Sequence, residues 1–167
     1  MRPQIIAREM QIEPLATRVA LHPFVAGMNH TQVTLLTDCA VGKHFNTNQT
    51  ILRESEFANG FYLIETGKVA LESETGFGES ILIQTLSPGD LLGWSWMFPP
   101  YVWQFTARAV EQTSALFFYA AILREYCEKD RSLGYELLKR MSAVMVKRLQ
   151  AARRQMLSFH GVAIKPS

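Results

Sequence analysis

The sequence predicts a mainly β domain, a sandwich or barrel, with short helices before it and a long helix after it. Between residues 41 and 119, short apolar runs alternate with turn residues, as in all-β domains. After residue 119 the apolar residues recur every three or four positions, which indicates helix. The chain has 167 residues, 48% hydrophobic and 19% charged, which is typical of one globular domain.

Two short helices are predicted before the β region. The first covers residues 15–26, with Pro14 in its opening turn, where proline is tolerated, and Pro23 as the position at which it breaks. The second covers residues 32–39. The run Asn-His-Thr at 29–31 supplies its N-cap, because short polar side chains accept hydrogen bonds from free amides at helix starts.

Seven strands are predicted in the β region, each bounded by turn residues. Their ranges are 42–45, 50–53, 60–66, 68–73, 80–86, 103–109 and 113–119. Gly67 falls between two of these apolar runs. This position predicts a tight hairpin in which the glycine has a positive φ, a conformation that glycine adopts without strain.

A short helix over 120–128 and a long helix over 133–159 are predicted after the strands, the long one capped by Asp130 or Ser132 and ended by Gly161 and Pro166. The long helix has an apolar stripe with steps of three and four. Its members are Leu138, Met141, Met145, Leu149, Ala152 and Met156. Its polar face is predicted to be solvated. That face carries Lys139, Arg140, Lys147, Arg148, Arg153 and Arg154.

Three stretches, in this order, resemble the cyclic-nucleotide-binding domain family, which includes the sensor half of the catabolite activator protein. Residues 45–56 are similar to the family's opening strands, with Asn48 at a turn position where the family has glycine. Asparagine also accepts the left-handed conformation. Residues 61–71 resemble the family's strand-Gly-strand hairpin. Residues 86–93 match the turn that leads into its phosphate-binding cassette.

The resemblance implies a β-roll, also called a double-stranded β-helix or jelly roll, with short N-terminal helices and a long C-terminal helix. We expect one domain over residues 14–160, with the roll at about 41–119 and the C-terminal helices at about 120–159. Residues 1–13 are expected to form a lead-in segment and residues 161–167 a tail.

The predicted cassette departs from the family pattern. In members that bind cyclic AMP or GMP, a glutamate after the cassette glycine accepts from the ribose hydroxyl, and a later arginine pairs with the phosphate. Here Trp94 follows Gly93, and Trp103 stands at the arginine position. No charged residue occurs from residue 91 to residue 107. We therefore expect conventional cyclic-nucleotide binding to be severely weakened.

The cassette is aromatic instead, and three interpretations stay open: core of the roll, a pocket for a less charged ligand, or a patch for a protein partner. The aromatic residues are Trp94, Trp96, Phe98, Tyr101, Trp103 and Phe105. The candidate ligand contacts are Gly93, Trp94, Ser95, Trp96, Trp103, Gln104, Thr106 and Arg108. No cofactor is assigned, and a weakly held cyclic nucleotide is an alternative.

The apolar stripe of the long helix has two interpretations. In relatives of the catabolite activator type this helix pairs two subunits, so the resemblance implies a homodimer through the stripe. The alternative is that the helix packs back on its own roll. We favour dimerisation, because the helix is long for one small roll to cover.

The sequence predicts a sensory or regulatory module and no enzyme. It contains no phosphate loop, no CxxC motif and no catalytic triad pattern, and the four histidines are scattered, so no metal site is expected. A ligand-free adaptor subunit and a cyclic AMP regulator with a non-standard cassette are the alternative functions. The partner is accordingly a small molecule or a protein.

Composition and length set the remaining expectations. Cys39 and Cys127 are expected to be reduced thiols of a cytoplasmic protein. No signal peptide and no membrane-spanning helix are expected. Few residues follow the long helix, so we expect no helix-turn-helix and no direct DNA binding of that kind.

Overall fold

The computed structural model describes residues 13–161, so the predicted lead-in and tail lie outside it apart from Glu13 and Gly161. The helices are α1 (Leu15–Leu21), a 3-10 turn (Pro23–Val25), α2 (His30–Asp38), a second 3-10 turn (Ser95–Met97), α3 (Ala120–Lys129) and α4 (Arg131–Phe159). The strands are β1 (Ala40–Phe45), β2 (Thr50–Leu52), β3 (Gly60–Thr66), β4 (Val69–Glu74), β5 (Ser80–Leu86), β6 (Leu91–Leu92), β7 (Thr106–Ala109) and β8 (Thr113–Tyr119).

The strands form two antiparallel sheets of four. One sheet has the order β1-β8-β3-β6 and the other β2-β7-β4-β5. Because alternate side chains of a strand point to opposite faces, each sheet contributes its inward residues to a shared core. Leu63, Leu71, Ala107 and Leu116 are buried members of that core. The predicted jelly roll with short N-terminal helices and a long C-terminal helix is confirmed.

Two local predictions at positive φ are also confirmed. Gly67 has a φ of 89°, and a Cβ there would lie 2.4 Å from Thr113 Oγ1, so the hairpin turn has no room for a side chain. Asn48 has a φ of 68°, the left-handed conformation expected at the turn between β1 and β2.

The helix boundaries follow the capping residues. Asn29 caps α2: its side chain accepts from the amide of Gln32, and the Gln32 side chain accepts from the amide of Asn29, a capping box. Asp130 caps α4, since its carboxylate accepts from the Leu133 amide at 3.2 Å. The break predicted before Pro23 is present, with α1 ending at Leu21.

One predicted strand is wrong in its first half. Residues 103–105 are not part of β7, because the backbone of Trp103 bonds to the loop after β2 instead. Its amide donates to the Glu56 carbonyl at 2.9 Å, and its carbonyl accepts from the Ser55 amide at 2.8 Å. Strand β6 was not predicted, since two residues are too few to show a period.

Candidate ligand-binding site

A largely apolar pocket of about 620 Å³ lies between the open end of the roll and helix α4. This volume is within the range of small-molecule sites in proteins. The roll contributes Leu71, Ile83, Gln84, Trp94, Gln104 and Phe105 to its wall. The helix contributes Ser142, Met145, Val146, Arg148, Leu149, Ala151, Ala152 and Gln155.

The strands and turns of the roll place its aromatic wall. Leu71 points inward from β4 and is buried. Phe105 stands directly before β7, and Trp94 follows the turn at Gly93, whose φ is 90°. The rings of Trp94 and Phe105 meet edge to face, with centroids 5.7 Å apart.

One cation enters this aromatic wall from the helix. The guanidinium carbon of Arg148 lies 4.5 Å from the centroid of the Trp94 ring and 6.0 Å from that of Phe105. Its Nη2 donates to the Leu91 carbonyl of β6. Cation–π contact and this single hydrogen bond therefore hold the side chain against the mouth of the roll.

The charge of Arg148 has little compensation. Its Nη1 is buried and has no hydrogen-bond partner among residues 13–161, and no carboxylate of that range forms an ion pair with it. Burial lowers the pKa of Arg148 to about 10, partly opposed by the charge of Asp90. The carboxylate of Asp90 instead accepts from the Ser87 amide at 2.8 Å. Arg148 is thus a charged donor at neutral pH.

Of the residues predicted to contact a ligand, Trp94 and Gln104 line this pocket. Trp96 and Trp103 are core residues, 2% and 4% exposed. Trp96 stacks on Phe61, with ring centroids 5.8 Å apart. The ring of Trp103 lies 2.5 Å from where a Cβ on Gly93 would be. Ser95 is buried in the 3-10 turn. Two of the three tryptophans of the cassette are thus buried in the core.

The predicted contacts Thr106 and Arg108 do not line this pocket. Arg108 points away from the core, forms an ion pair with Glu72 and donates to the Asn48 side chain at 3.1 Å. Thr106 Oγ1 accepts from the Glu54 amide at 3.1 Å. Side chains alternate along β7, and the buried Ala107 faces inward, so Thr106 and Arg108 on either side of it face outward.

The predicted dimerisation stripe is divided between two environments. Met141 is fully buried in the core of its own domain together with Leu133 and Leu137. Met145, Leu149 and Ala152 line the pocket. Leu138, Leu149 and Met156 have large exposed fractions, 71% for Leu149 and 66% for Met156.

Arg148 was predicted to lie on a solvated face of the helix and instead lines the pocket. The signal was present: Arg148 falls seven residues after Met141 and eleven after Leu137, both buried, so it shares their side of the helix. Arg140 is also misassigned, because it turns toward the N-terminal segment and donates to the Phe24 carbonyl.

Other chemistry is limited among the described residues. In residues 13–161 no three His, Cys, Asp or Glu side chains are placed to hold a metal ion. Cys39 and Cys127 are both free thiols, and burial raises the pKa of Cys39 to about 12. None of the helices in this range has both the length and the apolar character needed to cross a membrane.

Comparisons with known proteins agree with the architecture. The model of the cyclic nucleotide-binding domain family matches residues 42–130. A structure from Geobacter metallireducens, described as a cyclic nucleotide-binding protein, is 25% identical, has a TM-score of 0.72, and the match covers 82% of this chain and 99% of that one. A comparison with curated proteins gives no match.

Two further solved structures share the fold at lower identity. A cyclic nucleotide-binding domain from Methylobacillus flagellatus is 14% identical with a TM-score of 0.73, over 98% of this chain and 87% of that one. The catabolite activator protein of Thermus thermophilus is 21% identical with a TM-score of 0.65, over 83% of this chain and 63% of that one. The match to the family model spans more than half of the sequence, and the chain belongs to the cyclic nucleotide-binding domain family.

Proposed function

We propose that this chain is a non-enzymatic sensory module that binds a small molecule other than a conventionally held cyclic nucleotide in the pocket beneath α4. The observation that carries the proposal is the chemistry of the wall. Leu71, Trp94 and Phe105 face Met145 and Leu149 across the pocket, and residues 91–107 contain no charged side chain. Such a wall suits an apolar ligand body.

The packing around the cassette glycine supports the same proposal. In a cyclic-nucleotide site of the usual kind, the backbone and an arginine near this glycine receive the phosphate. Here the indole of Trp103 occupies the space against Gly93. An indole offers one N–H and no charge, so it replaces neither the guanidinium nor the volume that a phosphate needs.

The test is a thermal-shift titration with cyclic AMP, cyclic GMP and 2-naphthalenemethanol, an uncharged aromatic probe. We expect the probe to raise the melting temperature, because it binds the folded state, and both nucleotides to leave it unchanged. The Trp94→Leu variant, which removes a pocket ring, is expected to weaken the probe's effect. Tyr135→Leu is the matched control, since Tyr135 is an exposed aromatic residue of α4 outside the pocket.

Each alternative predicts a different result. A shift of several degrees with cyclic AMP would favour a conventional regulator with a non-standard cassette. The absence of any shift with all three compounds would favour the ligand-free adaptor.

A second proposal concerns self-association through α4. The helix is about 43 Å long at 1.5 Å per residue. Its second half carries Leu149, Met156 and Phe159, all largely exposed. Exposed apolar side chains at this spacing on a helix favour pairing with a second copy of the chain. We propose a homodimer in which this face of α4 forms the contact.

A further inference from the structure

We propose that Arg148 is the ligand-recognising cation of the pocket, and that the ligand is an amphipathic organic anion: a flat apolar body with one carboxylate. This inference rests on the proposed function, since it names the class of molecule for the same pocket. In this proposal the cation that contacts the ligand lies on helix α4, whereas in the family pattern it lies in the cassette of the roll.

The charge of Arg148 has no ion-pair partner among residues 13–161. A guanidinium buried in protein normally has an ion-pair partner, because removing it from water costs several kcal/mol. Arg148 contacts a carbonyl and two aromatic rings, and Asp90, whose charge acts on it, forms no ion pair with it; the same is true of the other carboxylates within residues 13–161. An anionic ligand group would supply the missing charge.

Arg148 also has a buried donor without a hydrogen-bond partner among the described residues. Nη2 is used by the Leu91 carbonyl, whereas Nη1 is buried without a hydrogen-bond partner among the described residues. The guanidinium carbon lies over the Trp94 ring, and the N–H groups of a guanidinium lie in its own plane. Planar carboxylates match that edge, and their hydrogen bonds to arginine are charge-assisted.

The rest of the pocket wall is mostly apolar. Among the described residues that line it, Arg148 is the one charged side chain. The other polar side chains of the lining are neutral, namely Gln84, Gln104, Ser142 and Gln155, and the remaining lining residues are apolar. A ligand with one anionic group and an apolar body therefore matches a wall that offers one cation and mostly apolar surface.

The experiment is calorimetric titration of the full chain with 2-naphthoate and with 2-naphthalenemethanol, which share the ring system and differ in charge. We expect the carboxylate to bind at least tenfold more tightly. Arg148→Gln is expected to remove that difference, so that the two probes bind with equal affinity. Arg153→Gln is the matched control, since Arg153 is exposed on the same helix and its replacement removes the same charge.

Equal affinity of the wild-type chain for the two probes would overturn the inference, and this comparison needs no variant. A carboxylate preference that persists in folded Arg148→Gln would also overturn it. Cyclic AMP binding that depends on Arg148 would assign the anion as a cyclic phosphate and reject the carboxylate. If neither probe nor nucleotide binds, the proposed function itself fails, a result distinct from binding without charge discrimination.

Discussion

Arg18 of α1 holds Glu65 of β3 through two parallel hydrogen bonds, 2.8 Å from Nε and 2.6 Å from Nη2. The two side chains are 11% and 2% exposed, so this fork joins the N-terminal helix to the roll inside the protein. The hydrogen bonds to Glu65 also raise the pKa of Arg18, which stays charged.

Removing one partner of this pair is expected to destabilise the fold strongly. In Arg18→Met the carboxylate of Glu65 stays buried without its cation, which costs about 3 kcal/mol of unfolding free energy. Urea denaturation measures the loss. The double variant Arg18→Met with Glu65→Leu is expected to recover most of it, because it leaves no buried charge. Equal instability of the single and double variants would contradict this account.

The turn at Gly93 is predicted to tolerate no side chain. Its φ of 90° is strained for any other residue, and an added Cβ would lie 2.5 Å from the Trp103 ring. We expect Gly93→Ala to lower the unfolding free energy by roughly 2–4 kcal/mol, from the backbone strain and the overpacking together. Gly76→Ala is the control, since a Cβ there meets nothing within 4 Å. Similar stability of the two variants in chemical denaturation would refute the prediction.

The buried ring of His22 leads us to expect a lower free energy of unfolding at acidic pH. Burial lowers the pKa of His22 below its usual 6.5, partly opposed by its bond to Ile64 and the charges of Glu65 and Asp90. The neutral ring donates from Nε2 to the Ile64 carbonyl at 2.9 Å and accepts at Nδ1 from the Phe24 amide at 3.2 Å. Protonation would cancel the second bond.

The sign follows from proton uptake. Below pH 6.5 the unfolded chain binds a proton that the folded chain resists, so this contribution is complete above pH 6.5 and is lost as pH falls through the folded-state pKa. We expect His22→Gln to flatten the dependence of unfolding free energy on pH below pH 6.5. His30→Gln is the control, because His30 is exposed. An unchanged slope in the His22 variant would refute the assignment.

The outer face of α4 predicts a concentration-dependent dimer. Met156 is exposed and does not line the pocket, so Met156→Glu tests self-association separately from ligand binding. We expect the variant to raise the dimer dissociation constant at least tenfold in sedimentation equilibrium, since a carboxylate would be buried in an apolar contact. Arg154→Glu, on an exposed polar face, is expected to have a smaller effect. A monomeric wild-type chain would reject the dimer.

Most of the roll was predictable from the sequence because turn residues and apolar runs are local signals. Strands at residues 60–66, 80–86 and 113–119 have the predicted bounds, and the left-handed Asn48 follows from its residue type. The pocket was harder to predict, since its walls come from segments far apart in the chain. Trp94 and Trp103 look alike in sequence, yet one faces the pocket and the other fills the core.

Arg148 shows why the charged contact was missed. The cassette, residues 91–107, contains no cation. A basic residue on a helix that carries several basic residues is normally predicted to face solvent. Only the packing of α4 against the roll places this one arginine over Trp94. The spacing of Arg148 from Leu137 and Met141 indicates that the three residues share one face of the helix. Its basic side chain nevertheless led to the prediction of a solvated position.

The continuity of α4 links the two proposals mechanically. The helix runs unbroken from Arg131 to Phe159, so Arg148 at the pocket and Phe159 at the far end belong to one rigid rod, about 16 Å apart at 1.5 Å per residue. An occupant that shifts the backbone at Arg148 would also shift Phe159, because both residues lie on this one helix. The exposed apolar face of α4, which we propose as the dimer contact, would then move together with the pocket, because the helix between them is continuous.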